Sequence, residues 1–321
     1  MITLDHVYVL AGVMFAAVAL LSVRDKANPK RIRTGLFWGL LALSFLIGGQ
    51  LSDLGNGVLV IGLALLAGFG GLGKGAPVTT TPEERRASAE KRGDGLFLPA
   101  LIIPVTALAG TFVFKTLVVD GHPVVDPKQA TLISLALGVM LALSAAMLWL
   151  RPKPSAPLQE GRRLLDTIGW AAILPQMLAS LGAVFALNGV GDAVGQLVGT
   201  YLPLDTPIAA VAAYCLGMAL FTVVMGNAFA AFPVMTAAVG LPLIVGKFGG
   251  DPAVVGAIGM LSGFCGTLLT PMAANFNVVP ANLLELPDRN AVLNGVIRAQ
   301  IPTALPLLAV NVLLMYLLAF R

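Results

Sequence analysis

The chain reads as an all-helical polytopic membrane protein, with about nine transmembrane helices, a re-entrant hairpin and two helices broken in mid-membrane. Three observations predict this. Hydrophobic residues make up 57% of the chain and charged ones 11%, with a mean hydropathy of +0.89, which is more apolar surface than a soluble core can hide. Apolar runs of spanning length alternate with short loops, and three of those loops collect most of the basic residues. Finally, the last half holds two apolar stretches interrupted by small polar clusters rather than by charge.

Residues 4–23 make the first span, and the loop after it carries Arg24, Lys26, Lys30, Arg31 and Arg33. Because the charges follow the apolar stretch, this is a genuine first helix and not a cleavable signal. Residues 34–50 and 58–72 are the next two spans, joined by the turn LSDLGNG, in which Asp53 and Asn56 read as solvated. The second basic loop carries Lys74, Arg85, Arg86, Lys91 and Arg92. Within it TTPEE has the start signal of a short helix, with Thr81 as cap, Pro82 in first position and Glu83 and Glu84 in the first turn. Residues 96–119 and 130–150 are the fourth and fifth spans, and the third basic loop brings Arg151, Lys153, Arg162 and Arg163. All three basic loops fall on one side, which the positive-inside rule makes cytoplasmic, leaving the N-terminus outside. A faint internal echo pairs Gly55, Asn56 and Pro104 with Gly226, Asn227 and Pro271.

After residue 163 the pattern changes. Residues 166–187 are apolar but contain Pro175, Gln176 and Ser180, and a short Gly-rich piece with Asp192 follows the Asn188–Gly191 stretch. This reads as a re-entrant hairpin over 166–205, or else as a plain span followed by a surface helix. Lys247, Arg289, Arg298 and Arg321 leave the orientation of the last spans open.

From Pro207 to Val245 there is no charge, and a continuous helix of that length would reach roughly 58 Å against a hydrocarbon core of about 30 Å. The segment must tilt, turn back or break, and Gly226, Asn227, Pro233 and Thr236 mark the place. A second interrupted stretch, 252–284, holds Ser262, Gly266, Thr267, Thr270, Pro271, Asn275 and Asn277. Breaks of this kind in mid-membrane line cavities, where Asn and Thr satisfy freed backbone groups. Asp251, at the turn between the stretches, is the one charge between Val245 and Leu284 apart from Lys247. An anion here must therefore be held by backbone amides at half-helix N-termini, each equivalent to about half a positive charge. Asn227 to Phe229 and Pro271 to Ala273 are the positions expected to hold it. Asn in a membrane helix also serves simply to tie helices together, and Phe229 and Phe232 also fit plain packing.

These residues carry a resemblance. A hairpin, a span broken at a small-Asn cluster and a span broken at Thr-Pro with Asn following is similar to one repeat of the ion-transporter superfamily of elevator-type carboxylate carriers. Gly226-Asn227-Ala228 stands where the divalent-anion symporters place Ser-Asn-Thr. Thr270-Pro271 with Asn275 stands where the membrane subunits of tripartite dicarboxylate transporters place a Thr-Pro pair. Gly226 and Ala228 depart from that pattern and remove two hydroxyls. Over its whole length, with its basic loops and GFGGLGKG at 68–75, the chain resembles the larger subunit of the two-component 5-oxoproline transporter family.

The resemblance implies a scaffold of five helices over 1–163, a transport unit over 164–300 and a C-terminal helix over 301–321. It implies a secondary transporter for a small carboxylate, 5-oxoproline, in a bacterial inner membrane. A smaller membrane subunit or a second copy would complete it. Gly226, Asn227, Ala228, Phe229, Thr270, Pro271, Met272, Asn275 and Asn277 would line the substrate site, and Asn188, Thr267 and Ser262 would contribute to an ion site.

No cofactor is expected beyond a coupling ion. Sodium needs only carbonyl, Asn and Thr oxygens, whereas a proton needs a titratable group such as Asp166 or Asp192, or one on a partner. Ser262 and Cys265 have no base in reach, which argues against an intramembrane enzyme. A non-transporting assembly subunit is the alternative. The basic residues lie in loops between spans and imply no nucleic acid. His6 and His122 lack metal-ligand partners at suitable spacing.

Overall fold

The computed structural model describes residues 1–69, 71–119, 121–201, 204–284 and 290–321. Gly70 of the GFGGLGKG run, Asp120, the Leu202-Pro203 pair at the end of the expected hairpin and Arg289 lie outside the described residues. The protein is all-α and multi-pass. Among the described residues eight helices are long and apolar enough to cross a membrane, and Asp53–Gly68 and Pro252–Thr267 are shorter apolar helices. The chain divides into two compact units, Met1–Asp166 and Thr167–Arg321.

In the first unit α1 (Leu4–Arg24) packs on α2 (Arg31–Ile47), with Gly12 against Leu46 and Gly35 against Val23 where a side chain would not fit. Small residues let the helix backbones approach, as lipid-embedded packing requires. Phe15 stacks on Trp38, which is fully buried with Phe37.

The expected turn LSDLGNG is largely helix. α3 (Asp53–Gly68) begins inside it because Ser52 caps Gly55 N–H, and Asn56 donates to the Gly48 carbonyl at 3.0 Å instead of facing water. Gly55 and Asn56 therefore do not reproduce the later break. α3 also ends at Gly68, short of Leu72. α4 (Pro82–Arg92) starts as the sequence signals, with a full capping box between Thr81 and Glu84. α5 (Leu98–Thr116) and α6 (Ala130–Leu150) pack through Gly110 on Ser134 and Gly138 on Ile103. The strands β1 (Val118–Val119) and β2 (His122–Pro123) join them, and Ile2 bonds this turn through Val124 and Asp126.

At the opposite ends of these helices the three basic loops are tied together. Asn28 donates to the Gly73 carbonyl at 3.0 Å, Ala76 N–H donates to Asp25 at 2.8 Å, and Gly75 N–H donates to Asp166 at 3.1 Å. Arg162, on α7 (Ala156–Ile168), pairs with Asp25 and lies 3.8 Å from Asp166. Gly73 and Gly75 are needed because a Cβ at either would collide with Asn28 or Arg162. Burial pushes the Asp25 carboxyl up, but the Arg162 guanidinium and the Ala76 and Ala27 amides outweigh it and hold the group below its ordinary value.

The second unit centres on α10 (Pro207–Met225), whose Tyr214 and Met218 are fully buried among Val239, Ile244, Val255 and Met315. α11 (Ala228–Met235) runs on as a π-helical segment, Thr236–Lys247, in which Pro242 has no N–H to give. Tyr214 Oη lies 2.9 Å from Thr236 Oγ1, and Gly240 sits against the same ring. In a straight helix residues 214 and 236 would be roughly 33 Å apart. The chain therefore doubles back at Gly226-Asn227 rather than passing straight through a kink.

α12 (Pro252–Thr267) starts at an Asp251 cap, with the side chain accepting from Ala253 and Val254 N–H. α14 (Arg298–Ala319) packs on α10 and α12, with Met315 and Leu308 in the shared core and Asp251 N–H bonded to the Ala319 carbonyl. The expected C-terminal helix thus belongs to the same compact unit as both breaks.

α8 (Leu174–Leu187) and α9 (Val190–Tyr201) meet at a turn where Gly189 takes the left-handed conformation, φ 68°. Along the neighbouring rod their contacts step one way. Gly182 lies on Phe229–Pro233, Gly191 on Val234–Ala238 and Gly195 on Ala238, while Lys247 Nζ reaches the Leu204 carbonyl at 3.3 Å. The two helices follow each other in series along α11 and its extension. A re-entrant hairpin would fold back over one level, so the 166–205 hairpin is corrected to this arrangement. Its cause is the run of small residues facing a single partner.

Candidate functional site

Both sequence-marked interruptions are real, and they touch. α10 ends at Gly226, whose φ of 74° is left-handed and whose N–H donates to the Thr222 carbonyl at 2.7 Å. A Cβ there would lie 2.7 Å from Met272 Cβ and 2.8 Å from the Met272 carbonyl. Glycine is thus required twice, by conformation and by the second break lying on it. Ala228 is likewise constrained: it is 1% exposed and faces Gly263, where a Cβ would come within 2.9 Å of Ala228 Cβ. The absence of hydroxyls at 226 and 228 therefore has a steric reason.

Asn227, 7% exposed, has extended backbone and caps α11, its Oδ1 accepting from Phe229 N–H at 2.7 Å and Ala230 N–H at 3.3 Å. The Phe229 amide, expected to meet a carboxylate, is therefore occupied internally, together with that of Ala230. Those of Asn227 and Ala228 make no hydrogen bond among the described residues and stand at the positive end of the helix.

The second break differs. α12 stops at Thr267, and residues 268–277 are irregular before the six-residue α13 (Val278–Leu283). Pro271 to Ala273 is thus no helix N-terminus, and the carboxylate position expected there is corrected. Met272 N–H is bonded to Thr270 Oγ1 at 3.2 Å and Ala273 N–H to the Thr270 carbonyl at 3.3 Å.

Asn277, fully buried, closes this gap by donating to the Thr267 carbonyl at 2.8 Å and the Thr270 carbonyl at 2.7 Å. Its Oδ1 is buried and has no hydrogen-bond partner among the described residues. Thr222 Oγ1, one turn before Gly226 and facing Gly263, is also buried with no partner among the described residues. An orphaned buried oxygen costs about 1 to 3 kcal/mol unless something meets it.

Sequence reasoning missed Thr222. Its only signal was a hydroxyl four residues before Gly226 on an otherwise apolar helix.

The other sequence-marked residues divide. Pro271 and Met272 are exposed beside Gly226, and Asn275 is half-buried with no hydrogen bond among the described residues. Phe229 packs edge-on against Phe264, which also meets Phe276, so an aromatic row borders both breaks. Ser262 donates to the Ile258 carbonyl and Thr267 Oγ1 to the Phe264 carbonyl, the back-bonding of hydroxyls inside a membrane helix. Asn188 donates to the Val184 carbonyl at the end of α8 and is not brought to this group.

Chemically, the site offers oxygen acceptors to a cation and two backbone donors to an anion. Among the described residues no group of three or more His, Cys, Asp or Glu could hold a metal ion. A sodium ion requires none of those types.

The chain belongs to the family described as protein of unknown function DUF979, whose model matches residues 5–320. No curated protein and no solved structure matches it.

Proposed function

We propose that this protein is the larger subunit of a secondary transporter for a small carboxylate, with 5-oxoproline as substrate and sodium as coupling ion. The observation that carries this reading is the contact between Gly226 and Met272, which brings two helix interruptions together in an uncharged, apolar surrounding. Thr222 Oγ1 and Asn277 Oδ1 supply oxygens for the cation, with the carbonyls of the second break nearby in sequence. The amides of Asn227 and Ala228 supply donors for the carboxylate, and Asn275 can read the lactam.

In this proposal the protein lies in a bacterial inner membrane with its basic loops inside and its N-terminus outside. The second unit moves in elevator fashion against a scaffold that includes the first, and a smaller membrane subunit or a second copy completes the path.

Uptake of radiolabelled 5-oxoproline into proteoliposomes tests this, with the chain alone and with its partner. A sodium gradient should drive uptake, and Thr222→Val should raise the sodium concentration needed while leaving thermal stability intact. Uptake indifferent to sodium and to Thr222→Val would reject the ion site. A correctly folded complex that moves no carboxylate would leave the assembly-subunit reading, which the internal satisfaction of Asn227 favours.

A further inference from the structure

The first unit contains a cavity of about 850 Å³ that takes no part in the breaks. One wall is apolar: Leu143, Met147 and Leu150 recur at helical spacing along the last turns of α6. The rim is basic, with Arg85 and Arg92 two turns apart on α4 and Lys153 just beyond α6.

Two carboxylates also line it, and both are engaged. Glu84 accepts from Thr81 N–H at 2.9 Å, and Glu160 pairs with Arg163 at 2.7 Å. Among the described residues no carboxylate lies within 4.0 Å of the charged ends of Arg85, Arg92 or Lys153. Arg92 instead donates to Ser88 at 2.7 Å and sits 5.9 Å over the Trp149 ring, while Arg85 reaches only the Thr81 carbonyl at 3.4 Å. Three cations thus line one cavity with no carboxylate in ion-pair contact among the described residues, Glu84 being held on a backbone amide.

Position decides what could supply that charge. α6 has 21 residues, about 30 Å of helix, which matches the hydrocarbon thickness. Its last turn and the basic rim therefore stand at headgroup level, and the apolar wall runs from there into the acyl region. Leu148 and Trp149, beside the cavity, are 78% and 43% exposed, as a lipid-facing surface requires.

We propose that this cavity binds an anionic phospholipid, its phosphate held by Arg85, Arg92 and Lys153 and the start of its acyl chains laid along Leu143, Met147 and Leu150. The occupant must be amphiphilic because cationic rim and aliphatic wall share one cavity.

The test uses the purified full-length chain in detergent, titrated with phosphatidylglycerol, phosphatidylcholine or glycerol 3-phosphate, and read by thermal unfolding and native mass spectrometry. Phosphatidylglycerol should remain bound and raise the melting temperature, whereas the other two should not. The triple variant Arg85→Gln, Arg92→Gln, Lys153→Gln should bind phosphatidylglycerol about a hundredfold more weakly, and Lys153→Gln alone about fivefold.

The charge-keeping triple Arg85→Lys, Arg92→Lys, Lys153→Arg should retain binding. So should Arg86→Gln with Lys91→Gln, basic positions on the same helix outside the cavity. Equal stabilisation by phosphatidylcholine, or an equal loss in the two glutamine sets, overturns the site. A full effect from glycerol 3-phosphate overturns the lipid in favour of a soluble phosphate ester. Should the glutamine triple melt early in phosphatidylcholine, Lys153→Gln decides, since its side chain makes no hydrogen bond among the described residues.

Discussion

The two interruptions of the second unit use the same residue type in opposite ways. Asn227 works through its oxygen, accepting two amides at the start of α11. Asn277 works through its nitrogen, donating to two carbonyls left behind by α12. A sharp turn leaves donors unsatisfied at the start of the next helix, whereas a frayed end leaves acceptors. The lesson is that an Asn at a membrane break is read by which half of its amide is engaged. The opposite half is then what a ligand can meet.

Substitution to aspartate, which keeps the oxygens and removes the donors, gives the strongest way to break this comparison. Asn277→Asp loses both bonds in a fully buried place and should destabilise by about 3 kcal/mol or more, measured as a large drop in melting temperature in detergent. If Asn277→Asp melts no lower than Asn227→Asp, the opposite roles are wrong.

Gly226→Ala comes next, since it strains a left-handed residue and drives a methyl into Met272; about 2 kcal/mol is expected, with loss of uptake. Asn227→Ala removes a cap and should cost about 1 kcal/mol. Asn227→Asp should leave the melting temperature within a few tenths of a kcal/mol, because Asp caps as well as Asn. It should nonetheless abolish carboxylate uptake by placing a negative charge beside the open amides of residues 227 and 228.

The smallest effect sharpens the contrast with the first unit, where a partly buried group is charged. The Asp25 carboxyl is held below its ordinary value of 3.8 in the fold. Its contribution is therefore complete above that value and lost as pH falls through the lower, folded one. Acid unfolding should show a step there that Asp25→Asn removes, and the uncharged breaks should show none.

Much of this was legible in the sequence, for local reasons. The bounds of α6, the Thr81 capping box and the interruptions near residues 226 and 270 all follow from hydropathy, capping chemistry and helix breakers acting on near neighbours. What escaped depends on residues far apart in the chain. The doubling back of α11 along α10 is recorded by Tyr214 meeting Thr236 and Gly240, more than twenty positions on in the chain. The serial course of α8 and α9 is recorded by Gly182, Gly191 and Gly195 finding one partner and by Lys247 reaching Leu204.

Within the site, the residue types were visible but their obligations were not. The Phe229 amide looked open until Asn227 took it, and Thr222 drew no notice, although among the described residues its buried hydroxyl has no partner. Gly226 and Ala228 read as missing hydroxyls until Met272 and Gly263 were found against them.

The close approach at Gly226 has a mechanical consequence. With no side chain between them, the turn after α10 and the backbone of Met272 rest directly on one another, so neither can slide without pushing its neighbour. In the proposed carrier a solute wedging into one would therefore be felt by the other, and the pair would open or shut as a single hinge leaf.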